Sequence, residues 1–458
     1  MRKIIFLLGG LLLSSLAINA QIISKSNAAL LHSQEKNNGT ARFNAMGGAF
    51  GALGGDLSAG DINPAGLAVF NNSQAVITFG LRNTDINTSF YGTNTKSANG
   101  YFNMSQAGGV LVFDGNTRSN WRKVALGINY TLANDYENNY TINGNSGEAD
   151  FMNDPYLNNI TYPNVVGQYL GNVTTGENNK LTLSLAAQYN NNLYVGFSIV
   201  THSIEYLHNS LFEESNNDAA NINELDASVL QKLYTYGDGI GINIGFIAKP
   251  TQEIRLGASY QSPTWYSLTD DYLEDIEIKV SNNNEIFKSD QVKEINDYNL
   301  STPSKLTGSF AYVFGKEGLF SVDYTYKNYT GVTLNTSADF ETNFTSENTF
   351  FSNNLKNTSS LKLGTEWRID NFSLRGGYFF EESPFINALD TDHLKGYSLG
   401  LGFKFSRNVK LDLAYQNTKN TEPNEFINIK DNNNQNIVNP AEINITHNKF
   451  TATLVIGL

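Results

Sequence analysis

Apolar residues alternate with small or polar residues along most of this 458-residue chain. One representative stretch, residues 124–132, reads Val-Ala-Leu-Gly-Ile-Asn-Tyr-Thr-Leu. A period of two residues is typical of a β-strand with one apolar and one polar face. The pattern returns in segment after segment from Gln74 to the carboxyl terminus. The sequence therefore predicts an all-β fold.

The connections between these segments alternate between short and long. Short turns are predicted at residues 114–121, 190–192, 249–251, 315–318, 368–371 and 406–408. Long polar stretches lie between them at residues 136–179, 207–234, 267–302, 331–357, 383–394 and 417–446. Short periplasmic turns and long extracellular loops are typical of outer-membrane barrels. With an initial hairpin at residues 74–113, this predicts a transmembrane antiparallel β-barrel of about fourteen strands with both termini periplasmic.

The same alternation of apolar and polar residues would also occur in a soluble β-sandwich or solenoid, which is the alternative interpretation. Aromatic residues make up 12% of the chain and charged residues only 16%. Aromatics recur near both ends of the predicted strands, as they do in the interfacial girdles of membrane barrels. A sandwich gives no reason for turns to alternate in length, so the barrel is favoured.

The first twenty residues have the features of a secretory signal peptide. Arg2 and Lys3 precede an apolar run from Ile4 to Leu13, and small residues follow at Ala17 and Ala20. The run is too short to span a bilayer as a helix. The sequence holds no cysteine, which excludes disulfides and a lipid-modified cysteine. We therefore expect cleavage and export to the outer membrane of a Gram-negative cell.

The segment before the first strand is rich in small residues and glycine. Residues 41–60 are dominated by Ala and Gly, and Asn63-Pro64 starts a turn. Its apolar residues favour burial over a solvated periplasmic tail. The predicted organisation is a signal peptide at 1–20, an N-terminal hatch or plug inside the lumen at 21–73, and a transmembrane barrel at 74–458.

Several short motifs in this segment resemble the FadL/TodX family of outer-membrane transport proteins. They are Ala41-Arg42, the run Ala45-Met-Gly-Gly-Ala-Phe50, Asp56, Ser58-Ala59 and the turn Asn63-Pro64-Ala65-Gly66-Leu67. Residues 256–263 and 302–310 also match recurrent family patterns. The resemblance implies a fourteen-stranded barrel, a luminal hatch and passive uptake of hydrophobic compounds such as long-chain fatty acids. The chain departs from the family by ending in Leu458 instead of an aromatic residue.

Residues that alternate with the apolar set must point into the lumen, because a charge on the lipid face is costly. The charged residues at these positions are Arg255, Lys305, Asp323, Lys327, Lys362, Glu366, Arg375, Lys404, Lys410 and Asp412. Their structural role would be to pair across the lumen and retain the plug. As ligand-binding candidates, Lys362, Arg375 and Lys404 would meet a polar head group, and Phe43, Met46 and Phe50 of the plug would contact its tail.

No catalytic, cofactor or metal motif appears, so we expect neither an enzyme nor a cofactor. Some family members have been labelled haemin receptors, which makes His202 and His208 candidates for axial ligation, with ordinary surface histidine as the alternative. The formal net charge of −13 argues against nucleic-acid binding. The expected partners are outer-membrane lipid and lipopolysaccharide, and a hydrophobic ligand.

Two other functions compete with passive uptake. FadL-like barrels also occur as structural or adaptor subunits of secretion or barrel-assembly complexes, so the partner could be a larger envelope protein complex. A general porin would need an open, water-filled channel, which the glycine-rich plug argues against.

Overall fold

The computed structural model describes residues 24–115, 118–157, 159–283, 285–337, 343–431 and 435–458. The predicted signal peptide at residues 1–20 lies outside the described residues.

Within this described part, nineteen strands form one antiparallel sheet. The strands are β1 (Gln74–Phe90), β2 (Thr93–Asp114), β3 (Trp121–Asp135), β4 (Asn138–Gly144), β5 (Asn164–Tyr189), β6 (Leu193–Asn217), β7 (Glu224–Ala248), β8 (Ile254–Gln261), β9 (Trp265–Val280), β10 (Ile286–Lys288), β11 (Val292–Ser301), β12 (Lys305–Phe314), β13 (Gly318–Lys327), β14 (Thr333–Thr336), β15 (Thr358–Ile369), β16 (Phe372–Glu381), β17 (Leu394–Lys404), β18 (Val409–Asn424) and β19 (Ala441–Gly457).

The nineteen strands correspond to fourteen strands of the barrel. Four barrel strands are each divided into two pieces, and one short strand is an additional arm. The interrupted ones are β3 with β4, β8 with β9, β11 with β12, and β13 with β14, while β10 is a short arm on β9. Strand β1 pairs with both β2 and β19, from Gln74 opposite Gly457 to Ser89 opposite Glu442. The ring is therefore closed. The predicted fourteen-stranded barrel is confirmed.

The two faces of the wall differ as the alternation predicts. In β3, Leu126 and Ile128 are 45% and 52% exposed, whereas their neighbours Ala125 and Asn129 are buried on the inner face. Rows of exposed apolar side chains are unfavourable in water but match a lipid environment. At the end where the chain makes its short turns, Trp121 packs against Tyr189 as part of an aromatic girdle. We call this the short-turn end and the opposite one the long-loop end.

Several long loops are shorter than predicted, because the strands beside them extend into the predicted loop. Strand β6 continues to Asn217 and β7 begins at Glu224, so the stretch predicted as a loop at 207–234 is mainly a hairpin. The physical reason is a second apolar core at the long-loop end. Inward residues such as Phe212, Leu225 and Val229 are buried there, although polar residues alternate with them. The prevalence of Asn and Glu concealed this alternation.

The helices are short and lie mainly before the barrel. They are α1 (Lys25–His32), α2 (Ala41–Ala45), α3 (Ala59–Ile62), the 3-10 turns Pro64–Val69 and Tyr329–Gly331, and α4 (Thr345–Asn354). Ser24 and Thr40 cap α1 and α2 by accepting hydrogen bonds from the third amide beyond them. In the part of the chain that the structure describes, no helix is long and apolar enough to cross a bilayer.

Residues 24–72 contact inward-facing residues of strands all round the ring. The Ala41 amide donates to Thr453 on β19, and the Phe50 amide donates to Asp323 on β13. On the other side, Gln261 of β8 donates to the carbonyl of Asp61. We refer to residues 24–72 as the N-terminal segment.

Candidate functional site

A small polar knot folds the N-terminal segment back on itself. The Thr40 hydroxyl donates to the Asp56 carboxylate at 2.9 Å, and the Thr40 amide donates to the Ser58 hydroxyl at 2.8 Å. Burial favours the neutral acid and raises the pKa of Asp56 above its usual value, despite the nearby Arg42 guanidinium. The knot joins the two halves of the segment around its glycine-rich turns.

Those turns pass so close to the wall that a side chain would not fit. Gly47 has a φ of +61°, and its amide donates to the Ser398 hydroxyl at 3.1 Å. A Cβ added to Gly377 of the wall would lie 2.3 Å from the Gly47 nitrogen. Glycines on both partners therefore allow backbone to contact backbone.

The predicted tail-binding residues form the apolar core of the segment itself. Phe43, Met46 and Phe50 are all at most 2% exposed, and the rings of Phe43 and Phe50 lie 5.5 Å apart. They pack with Leu53 and with Leu319 of the wall. Among the described residues, none of the three lines the cavities of about 560 and 280 Å³ described below.

The predicted turn motif Asn63-Pro64-Ala65 fastens the segment to the wall. The Asn63 side-chain oxygen accepts from the Ala65 amide at 3.1 Å, and its amide donates to the carbonyls of Gly51 and Phe246 at 2.8 and 2.9 Å. Pro64 and Ala65 lie directly over Gly196 of β6. These contacts of the motif are with the protein itself and hold the N-terminal segment against the wall.

Ion pairs connect the segment to the wall near the short-turn end. Glu366 accepts from Arg42 and from Arg375, each at 2.7 Å, and Arg375 also donates to Asp412 at 2.6 Å. Burial alone would lower the pKa of Arg42, but the Glu366 carboxylate raises it above its usual value. Because Arg375 donates to both Glu366 and Asp412, its guanidinium group already has two carboxylate partners.

The three predicted head-group residues do not share one site. Arg375 and Lys404 line a cavity of about 560 Å³ at the short-turn end, together with Arg255 and Lys410. Lys362 instead donates to the side chain of Asn37 at 3.3 Å.

A second ionic cluster lies on the other side of the segment. Glu35 pairs with Lys305 at 2.9 Å and with Lys180 at 3.5 Å, and Lys180 also reaches Asp61 at 3.3 Å. Although burial favours the neutral acid, the two lysines hold the pKa of Glu35 well below its usual range. Sequence reasoning missed Glu35 and Lys180, because Glu35 lies in a polar tract that resembles a linker.

The two candidate haem ligands already have protein partners. His202 shares a hydrogen bond of 3.0 Å with Asn178, and His208 one of 2.6 Å with Asn172. Across the described ranges, no group of three or more His, Cys, Asp or Glu is placed to hold a metal ion.

A cavity of about 280 Å³ lies between the N-terminal segment and the wall, nearer the long-loop end. We call it the upper cavity. Residues 34–38 form one side of it, and β1, β2, β18 and β19 contribute inward-facing residues. Residues 134–138, where β3 gives way to β4, also line it.

The wall beside the upper cavity is interrupted. The ladder between β2 and β3 ends at Gln106 opposite Thr131, and β4 pairs only with β5. Between β4 and its neighbours on the other side, the hydrogen bonds come from side chains: Asn99 donates to the Asn139 carbonyl at 2.9 Å, and Thr88 to the Thr141 carbonyl at 2.8 Å. The break gives the upper cavity a flank without a backbone ladder.

A closed barrel with an apolar outer face and a segment packed against its inner face defines an outer-membrane channel of the plugged kind. The family model described as outer membrane protein transport protein (OMPP1/FadL/TodX) matches residues 20–448. The chain belongs to this family, which consists of transport proteins of the outer membrane and not of enzymes.

Solved structures share the fold over nearly their whole length. A Pseudomonas aeruginosa FadL homologue is 15% identical, with a TM-score of 0.61 over 93% of this chain and 99% of the homologue. The Ralstonia pickettii toluene transporter TbuX is 14% identical, with a TM-score of 0.56 over 92% and 99%. The Pseudomonas putida toluene transporter TodX is 13% identical, with a TM-score of 0.54 over 93% and 100%. No curated protein matches the sequence significantly.

Proposed function

We propose that the protein takes up small molecules with a large apolar surface across the outer membrane by diffusion, with the N-terminal segment as a movable hatch. The observation that carries this proposal is the upper cavity, which lies between that segment and the break in the wall. A molecule held there has the hatch on one side and a flank without a backbone ladder on the other.

In this proposal the domains keep their predicted roles. Residues 21–73 form the hatch and residues 74–458 form the barrel, while the ion pairs of Arg42 and Glu35 hold the hatch closed. Movement of the hatch would open a path from the upper cavity to the short-turn end. Lys404 lines the cavity at that end and would meet a polar head group as it leaves.

Long-chain fatty acids and toluene are the first compounds to compare. The family resemblance suggests the former, and the structures with the same fold include toluene transporters. Uptake of labelled oleate and toluene should be measured in Gram-negative cells that lack their own FadL-type proteins, with and without this chain. Lipopolysaccharide slows hydrophobic compounds in such cells, so a transporter should increase entry of at least one of them.

A hydrophilic antibiotic serves as the control for an open pore. Its entry should stay at the level of cells without the chain, because the hatch fills the lumen. Entry of the antibiotic together with the hydrophobic compounds would indicate a general porin instead. No change for any solute, with stable co-purification of larger envelope proteins, would replace uptake by the adaptor role.

A further inference from the structure

The cavity of about 560 Å³ at the short-turn end has the opposite charge balance to the upper cavity. We call it the lower cavity. Six Lys or Arg residues line it, against four Asp or Glu residues, whereas the upper cavity has three and seven. Lys404 and Asp370 of its lining are exposed. A dissolved ligand can therefore reach the lower cavity from the short-turn end without movement of the N-terminal segment.

Three of the six cations are already paired. Glu366 forms ion pairs with Arg42, Arg368 and Arg375, and Asp412 forms one with Arg375. These three arginines therefore occupy two of the four carboxylates of the lining.

The other three cations, Arg255, Lys404 and Lys410, form no ion pair with any residue that the structure describes. Arg255 donates to the Leu53 carbonyl at 2.6 Å, which is a neutral acceptor. The two remaining carboxylates of the lining form no ion pair with them either. The lower cavity thus holds an excess of positive charge that no side chain of the described ranges neutralises.

Two of these free cations face each other. Lys404 of β17 lies directly opposite Lys410 of β18, and both line the lower cavity. Like charges directly opposite each other on a sheet are destabilising. An anion between the two ammonium groups would offset this repulsion and accept charge-assisted hydrogen bonds from both. The pair therefore favours an anionic ligand and disfavours a cationic one.

Apolar residues also border the lower cavity. Leu53, Leu57 and Phe70 belong to the N-terminal segment, and Val76 and Phe403 belong to the wall. The volume of the cavity lies within the range of about 300–1,000 Å³ that is usual for small-molecule sites. An alkyl tail or a ring could pack against these residues while its head meets the lysines.

We propose that the lower cavity binds an oxyanion, with Lys404, Lys410 and Arg255 supplying the positive charge. The oxyanion has two potential sources: the carboxylate head of an amphiphile that leaves the lumen, and a small free carboxylate that enters from the short-turn end. The apolar lining favours the amphiphile. Its use as an exit site rests on the proposed uptake function, whereas binding from solution does not.

Calorimetry on the full-length protein in lipid nanodiscs tests the proposal, with empty nanodiscs as the blank. Hexanoate, hexylammonium and hexanol share one tail length and differ in the charge of the head. We expect hexanoate to bind about tenfold more tightly than the other two, because only its head accepts charge-assisted hydrogen bonds from the cations. Equal or tighter binding of hexylammonium or hexanol would overturn the proposal.

Acetate separates the two sources, because it carries the same anionic group without a tail. Weaker binding of acetate than of hexanoate would support the head of an amphiphile as the ligand. Equal binding of the two would support a small free anion instead.

Substitutions of the lysine pair connect the binding to the lower cavity. Lys404→Gln/Lys410→Gln removes both charges and should weaken hexanoate binding about fivefold, with hexanol binding unchanged. Neither lysine has an ionic partner among the described residues that would be left unpaired, so the barrel should still fold. Lys404→Arg/Lys410→Arg keeps both charges and should retain hexanoate binding.

Lys395→Gln/Lys419→Gln is the matched control. Lys395 and Lys419 also lie directly opposite each other on β17 and β18, but they line neither cavity. This variant should bind hexanoate as the unchanged protein does. Unchanged hexanoate affinity in Lys404→Gln/Lys410→Gln, or an equal loss in the control, would contradict the proposal.

The failure of this inference differs from the failure of the proposed function. If cells take up a hydrophobic compound and hexanoate does not bind above the blank, the uptake function stands and the anion site is wrong. If hexanoate binds through the lysine pair and cells take up neither oleate nor toluene, the anion site stands and the uptake function is wrong.

Discussion

Single inward-facing side chains determine how the N-terminal segment is held. The Asp323 carboxylate accepts from the amides of both Phe50 and Gly51 at 2.9 Å. The alternation of β13 predicted that Asp323 points inward. Its partners could not be predicted, because they are backbone amides of a glycine-rich turn far away in the sequence.

Replacing Asp323 by Ala should loosen this turn and leave the barrel folded. Two buried amides would lose their acceptor, at about 1–3 kcal/mol each. Hydrogen exchange of residues 49–52 should become faster, while exchange in β12 and β13 stays slow. Asp323→Asn keeps an acceptor oxygen and should show a smaller effect. Unchanged exchange in the Ala variant would mean that other contacts hold the turn.

His32 gives the N-terminal segment a dependence on pH. Its ring is 2% exposed, contacts Tyr136 and Tyr206 edge to face, and shares a 3.2 Å hydrogen bond with the Tyr136 hydroxyl. Burial lowers its pKa from 6.5 to about 3. The packed state therefore holds the neutral ring, and its stability falls as the pH drops below 6.5.

At pH 5 this effect should destabilise the packing of α1 by about 2 kcal/mol relative to pH 7.5. Hydrogen exchange of residues 25–33, corrected for the intrinsic effect of pH, should be faster at pH 5. His32→Phe has no titrating ring and should show no such difference between the two pH values. Equal acceleration in both proteins would assign the effect to another group.

Among the secondary-structure elements, the strands within the membrane were predictable and those beyond it were not. Residues 124–132 alternate without interruption, so β3 could be read from the sequence. The extension of β6 and β7 depends on a core between distant strands, and polar residues between Phe212 and Leu225 hide it. The upper cavity could not be predicted from the sequence either. Residues 34–38 line it only because they lie against strands from both ends of the chain.

Arg375 links β15, β16 and β18, so its replacement should affect the hatch more than the ligand. Arg375→Leu would leave Glu366 and Asp412 with fewer partners in a buried cluster, and breaking a buried pair costs about 3–5 kcal/mol. We expect faster hydrogen exchange in residues 41–45 and entry of the hydrophilic antibiotic. Lys404→Ala, at an exposed position, should change neither. If both variants behave alike, the cluster does not retain the hatch.

At the scale of the whole molecule, uptake requires the N-terminal segment to move relative to the wall, and the absence of native cysteines allows a direct test. A Cβ added to Gly51 would lie 3.0 Å from the Ser309 Cβ. The two Cβ atoms of a disulfide are about 3.5–4.5 Å apart, so the turn has to move away from the wall by about half an ångström for the bond to form. Oxidised Gly51→Cys/Ser309→Cys should therefore lose most uptake in cells, and a reductant should restore it. Thr365→Cys/Gly376→Cys is the control, because these residues face each other across β15 and β16 and a bond between them crosses no moving boundary. Full uptake by the oxidised hatch-to-wall variant, with the bond verified by mass spectrometry, would mean that this part of the segment stays in place. The path would then have to pass through the barrel without displacing the turn at Gly51.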